Sequence, residues 1–284
     1  MSTLTQPYYK SQVLTPAGGF TSGIEGPACD ANGIVYAVNY ERQHTIGRVT
    51  PEGESSVFVE LPKGSTGNGI RFSRAGDMYV ADYTGHNILK VDMATRAISV
   101  FAHEPRMNQP NDIAIADDDV LFASDPNWSQ GTGQLWRIGT DGTVTLLEAE
   151  MGTTNGIEVS PDNKTLYVNE TQQRNIWAYD LSPDKQISNK RLLIAFDDYG
   201  MDGMRCDVDG NLYVTRYGKG TIAKVAPDGT LLAEIGLQGH NCSNVTFGGP
   251  DGCTCYVMLQ DVGNIESFRV ERPGREWALM HGKL

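Results

Sequence analysis

Six positions of this 284-residue chain carry oxygen-bearing side chains at a near-constant interval: Glu25, Asn68, Asn111, Asn155, Asp202 and Asn244. Successive members stand 43, 43, 44, 47 and 42 residues apart, and none is apolar. Brought to one place, two carboxylates and four carboxamides would make a seat for a hard divalent cation. Oxygen donors without Cys or His favour Ca²⁺, Mg²⁺ or Mn²⁺ over softer metals. Two carboxylates balance the charge of one such ion; without it they would repel each other and resist burial. Ca²⁺ takes roughly 6–8 oxygens, so four protein ligands leave about two or more positions for water or substrate. An open position is what a catalytic metal needs. One asparagine before a glycine is ordinary turn punctuation. Six such residues in one register ask for a further reason.

The elements that must position them are hairpins. In "TTNGIEVSPDNKTLYVNE", Thr153 to Glu170, Ile157 and Val159 alternate, Pro161-Asp162-Asn163 supplies a turn, and Leu166-Tyr167-Val168 returns. The pattern recurs as "EGPACDANGIVYAVN" from Glu25, "NGIRFSRAGDMYVAD" from Asn68 and "NDIAIADDDVLFASD" from Asn111, then from Asp202 and Asn244. After each hairpin comes a third apolar stretch, such as "HNILKVDMAT" or "RNIWAYDLSPD", and often a fourth short one, such as "SSVFVEL". A period in the forties with four strands per unit predicts an all-β, six-bladed β-propeller with four-stranded antiparallel blades. Six units fill residues 1–284 as a single domain. "KSQVLTPAG", from Lys10, is expected to supply the outer strand of the last blade and so join the chain's ends. In that architecture the first strand of each blade lines the axis, and the six oxygen-bearing residues form a ring around it.

Composition narrows the function classes. A net charge of −12, with no Lys/Arg-rich run, argues against nucleic-acid binding. No apolar run reaches membrane-spanning length, and "MSTLTQPYYKSQV" has no signal-peptide core, so no membrane partner and a cytosolic location are the expectation. The five cysteines are odd in number and lack a C-x-x-C pair, which points to reduced thiols packed in strands. The histidines, His44, His86, His103, His240 and His281, share no repeated register, and no G-x-S-x-G elbow or phosphate-binding glycine loop is present.

At the ring residues the sequence resembles the SMP-30/gluconolactonase/luciferin-regenerating (LRE-like) family of six-bladed propellers, and within it the bacterial gluconolactonase type. "EGP" at Glu25–Pro27 resembles the family's first ligand motif. "RMNQPNDIAIADDDVLFASDP", from Arg106, is similar to the pattern R-x-N-x-P-N-D followed by a hairpin ending in T/S-D-P. "TNGIEVSPDNKTLYV", "MDGMRCDVDGNLYV" and "FGGPD" resemble its later segments in the same order. The resemblance implies one divalent cation held by Glu25, Asn111, Asn155 and Asp202. It implies Ca²⁺ first, with Mg²⁺, Mn²⁺, Fe²⁺ or Zn²⁺ as alternatives, and leaves Asn68, Asn244 and His240 as secondary channel candidates. The sequence departs from the family at Gln109, where animal members carry Arg. It departs again at Arg205, where phosphotriesterase relatives carry an Asp serving a second calcium, and at Asn127-Trp128, where many bacterial members have Pro-Tyr.

The implied activity is metal-dependent hydrolysis of a sugar lactone by a monomer or weak homo-oligomer. The cation would polarise the carbonyl, Asp202 is the candidate base toward water, and Asn111 and Asn155 would orient the carbonyl. Arg106, Asn108, Gln109, Asn127, Trp128 and Tyr217, with Tyr40, are the expected substrate contacts. Two rival readings use the same ring: a promiscuous esterase or phosphotriesterase, and a non-catalytic binding scaffold with a structural axial ion.

Overall fold

Every expected turn closes a hairpin, and the strands assemble into six four-stranded antiparallel sheets. The computed structural model describes residues 7–284. The innermost strands of blades one to six are Phe20–Cys29, Gly67–Phe72, Ile113–Ile115, Thr154–Val159, Met204–Cys206 and Cys242–Gly248. Each neighbours the innermost strands before and after it, and the first meets the last, so the blades close a ring. The fold is the six-bladed β-propeller that the repeat implies.

The sixth sheet is completed from the other end of the chain. Gln12–Val13 pairs antiparallel with Asn264–Arg269, Gln12 opposite Ser267 and Val13 opposite Glu266. This outermost strand covers an edge that would otherwise offer unpaired backbone groups.

The core lies between blades. Tyr36, Val38 and Ile46 of blade one pack against Ile70, Met78, Val80 and Leu89 of blade two, and the other interfaces repeat the arrangement. Each such side chain contributes about 1.5–3 kcal/mol by leaving water. The period-two alternation of the strands is therefore used twice, one face toward each neighbouring blade. All five cysteines are buried and unpaired. One short helix, Arg275–Met280, follows the last strand; nothing in the repeat foretold it. Among the described residues no helix is long and apolar enough to cross a membrane.

Candidate functional site

The six oxygen-bearing residues stand where regular pairing fails. In blades one, two, four and six the register between the first two strands shifts at Glu25, Asn68, Asn155 and Asn244. In blades three and five, pairing begins only at Ile113 and Met204, two residues after Asn111 and Asp202. A bulge re-aims a side chain out of strand alternation. Here the ring residues and the apolar residues after them can thus serve the axis and the blade interfaces in turn.

The glycine after the ring residue has its own cause. A Cβ on Gly203 would lie 1.9 Å from Asn244 Cγ, and one on Gly156 would lie 2.5 Å from the Asp202 carbonyl oxygen. Only a residue without Cβ lets adjacent inner strands approach this closely. The backbone uses the approach: Gly69 N–H donates to the Asn111 carbonyl at 2.8 Å, Gly156 to Asp202 at 3.2 Å and Gly203 to Ser243 at 2.7 Å. Gly26 is the most constrained, with φ of +54° and the Asn68 carbonyl oxygen 1.8 Å from where a Cβ would stand. Strain and overpacking together make Gly26→Ala cost about 3 kcal/mol or more. Urea denaturation of that variant is the check, and an unchanged midpoint would contradict this account of the glycine.

Glu25 is buried and Asp202 half-buried in the floor of one cavity, close enough that each shifts the other's proton affinity. Burial pushes Glu25 up to about 7, against the pull of the Gly26 N–H, and Asp112 adds repulsion. Burial and then the Glu25 charge raise Asp202 well above the usual carboxylate range. Around this pair sit amide oxygens with nothing to accept. Asn155 donates its NH₂ to Thr171 Oγ1 at 3.1 Å, which leaves its buried Oδ1 unpartnered; Asn68 Oδ1 is also buried and unpartnered. Asn244 behaves differently. Its NH₂ donates to Glu25 Oε2 at 3.0 Å and its Oδ1 accepts from Val245 N–H at 2.9 Å. Two mutually repelling carboxylates and orphaned amide oxygens on one axis are a donor set that a hard divalent cation fits. Asn244 braces Glu25 instead of offering an oxygen, while Asn68 offers one more.

Below the ring the channel is filled by ion pairs. Asp112, fully buried, takes Arg71 Nη1 on Oδ1 at 3.3 Å and Arg205 Nη1 on Oδ2 at 3.1 Å. Glu276 reaches in from the C-terminal helix to Arg71 Nε at 2.5 Å and Arg205 Nε at 3.7 Å. Arg275 binds the carbonyls of Ser160 and Ile115, at the strand ends opposite the ring, and lies 3.8 Å from Glu158. The helix therefore closes that end of the axis. Arg205 occupies its place in the column as a guanidinium bonded to Asp112.

Above the ring opens a cavity of about 430 Å³, with Glu25, Asn68, Asn111, Asn155 and Asp202 in its floor. Tyr83, Trp128 and Tyr217 supply aromatic wall, and Gln43, Thr171 and Gln260 supply polar wall. No Lys, Arg or His lines it among the described residues. Of the expected substrate contacts, Trp128 and Tyr217 face this cavity. Asn108, Gln109 and Asn127 line a neighbouring one. Three candidates stand elsewhere. Arg106 is on the rim with its side chain 67% exposed, held by both Glu104 oxygens at 2.8 Å and lying over the Trp136 ring. His240 is 73% exposed beside Asp261. Tyr40 packs edge-on against Phe20, inside the blade one interface.

Tyr83, Thr171, Gln260 and Asn39 were not singled out from the sequence, yet a signal existed. Tyr83, Thr171, Tyr217 and Gln260 each follow their ring residue by 15 or 16 positions, just past the end of the second strand. The carboxylates at or near the ends of the second strands of blades two, three and four have a different task. Asp82 accepts Thr66 and Gly85 N–H, Asp125 accepts Asn108 and Gln109 N–H, and Glu170 accepts Gly152 N–H. They pin the loops that carry the cavity wall.

The family model described as "SMP-30/Gluconolactonase/LRE-like region" matches residues 24–260. A gluconolactonase of Zymomonas mobilis is 30% identical over 83% of this chain and 77% of its own length. A pentonolactonase of Haloferax volcanii is 33% identical over a shorter stretch, 44% of each chain. Among solved structures, a calcium-binding protein, regucalcin, from Agrobacterium tumefaciens superposes with a TM-score of 0.79 at 21% identity. That match covers 93% of this chain and 97% of that one.

Proposed function

Because the chain belongs to the SMP-30/gluconolactonase/LRE-like family, we propose that it is a divalent-metal-dependent lactonase acting on sugar lactones. The observation that carries this reading is the pairing of the oxygen ring with the cavity above it. Two carboxylates and unpartnered amide oxygens form the floor of a pocket walled by aromatic rings and amides. The lactonase relatives at 30% and 33% identity support the same reaction class.

Glu25, Asn111, Asn155 and Asp202 would hold the cation, with Asn68 offering a further oxygen. When bound, the cation supplies Lewis-acid polarisation of the lactone carbonyl. The protein's own groups do the rest. Tyr83, Trp128 and Tyr217 present faces and hydroxyls to the sugar ring, and Gln43, Thr171 and Gln260 offer hydrogen bonds to its hydroxyls. Asp202 accepts the proton of the attacking water as the new C–O bond forms. The ring C–O bond then breaks, and the proton passes to the departing alkoxide oxygen, giving the open hydroxy acid. Asn155 is tied to Thr171 and stands beside Asp202 in the cavity floor, where its amide favours the ionised carboxylate.

The test is a panel of aldonolactones, simple esters and phosphotriesters, with acid release followed by a pH indicator. Turnover of at least one sugar lactone, lost in EDTA and restored by a divalent cation, is the expected result. No turnover of any lactone with metal supplied would end the proposal.

A further inference from the structure

Resting on that lactonase reading, we propose that the substrate is a glycosylated aldonolactone, a disaccharide lactone whose second sugar fills a built cavity beside the axial one. The axial cavity shares Tyr83 and Trp128 with a second cavity of about 520 Å³. Because Tyr83 and Trp128 line both cavities, their two rings form one wall between the compartments. Together the compartments exceed what one lactone ring occupies. Small-molecule sites of roughly 300–1,000 Å³ normally enclose most of their ligand.

The second compartment has carbohydrate chemistry. Its lining contains no Lys, Arg, Asp or Glu among the described residues, and its one imidazole, His86, has Nδ1 engaged with the Met107 carbonyl at 2.6 Å, so a phosphate or carboxylate extension finds no guanidinium or ammonium partner. Asn108, Gln109 and Asn127 supply planar amides, each both donor and acceptor, beside the aromatic wall. Gln109 uses its backbone N–H on Asp125, and Asn127 Nδ2 donates to Asn108 Oδ1 at 3.3 Å. The buried Asp125 carboxylate fixes this edge. It takes the Asn108 N–H at 2.8 Å, the Gln109 N–H at 2.6 Å and the Trp136 indole N–H at 2.9 Å. A rigid amide edge facing aromatic rings is preorganised for hydroxyls and a sugar face. The bond broken is still the lactone ring C–O bond, by water; the glycosidic bond stays intact.

The experiment compares cellobiono-δ-lactone with glucono-δ-lactone on the metal-loaded protein. The disaccharide lactone is expected to show a kcat/KM about tenfold or more above the monosaccharide, since binding energy from the remote sugar is available to the transition state. Ser129→Phe, at an exposed position lining only the second cavity, should bring that ratio to near one. A wild-type ratio of one or below, or a ratio indifferent to Ser129→Phe, overturns the inference. Should neither lactone be hydrolysed, the lactonase reading fails separately, and calorimetric titration with the two non-hydrolysable lactams decides the subsite. Tighter binding of the disaccharide lactam, lost in Ser129→Phe, supports it; equal affinities refute it.

Discussion

Asp202→Asn is expected to lower sugar-lactone turnover about a thousandfold while the propeller stays folded, because it removes a proton acceptor and a ligand charge at once. The shape of the side chain is kept, so the packing of the cavity floor survives. Circular dichroism should be unchanged and calorimetric affinity for Ca²⁺ should fall. Activity within a few fold of wild type would remove Asp202 from the mechanism.

The same variant should stabilise the metal-free protein, and the sign follows from linkage. Glu25 stands near 7 in the folded chain against an ordinary 4.5, and Asp202 is raised by burial and by Glu25. A carboxyl raised on folding binds its proton more tightly in the folded state. Its favourable contribution is present below the ordinary value and is lost as pH climbs to the folded one. In EDTA the melting temperature is therefore expected to fall between about pH 4.5 and 7. Divalent cation should restore it at pH 8 and do little at pH 4.5. Asp202→Asn removes one partner of the repelling pair and should flatten the fall. A pH-independent melting temperature in EDTA would show that the two carboxyls are not coupled.

How much of this was legible depends on what the repeat encodes. The six-fold recurrence of a turn-bounded hairpin dictated the blades, since only stacked units bury both faces of such strands. The ring was legible because its members share a register even though bulges displace them from strand alternation. The glycines after Glu25, Asn68, Asn155 and Asp202 were visible as turn grammar, but their cause is the close approach of the next blade's inner strand, which no local pattern reveals. Arg106 was misplaced because Glu104, two residues earlier, turns the guanidinium outward. A loop side chain has no period to fix its direction. The charged column beneath the ring was overlooked although Arg71, Glu158 and Arg205 each follow a ring residue by three positions. Two further members, Arg275 and Glu276, belong to a helix outside the repeat, so periodicity could not have paired them.

That column supplies the other large effect. Arg205→Met is expected to destabilise the protein by about 3–5 kcal/mol, the range for removing one partner from a buried ion pair. Arg205 is fully enclosed. Burial works against its charge, yet Asp112, Glu276 and Glu158 outweigh it and leave the guanidinium more firmly protonated than usual. Methionine fills much of the volume, so the loss isolates charge from packing. What remains is a set of buried carboxylates with Arg71 and Arg275 as the cations nearest to them. Glu158 is already pushed up to about 7 by burial and by Glu276, with all three guanidiniums present; losing one raises it further. The deficit should therefore shrink as pH falls through 7 and Glu158 takes a proton. Adding Asp112→Asn should recover part of the loss, with a coupling of about 0.5–3 kcal/mol between the two sites. Urea denaturation of the single and double variants at pH 5 and 8 measures all of this. If Arg205→Met unfolds at the wild-type midpoint at pH 8, the ion pairs below the ring contribute nothing net, and hydrophobic packing between blades alone holds the axis closed.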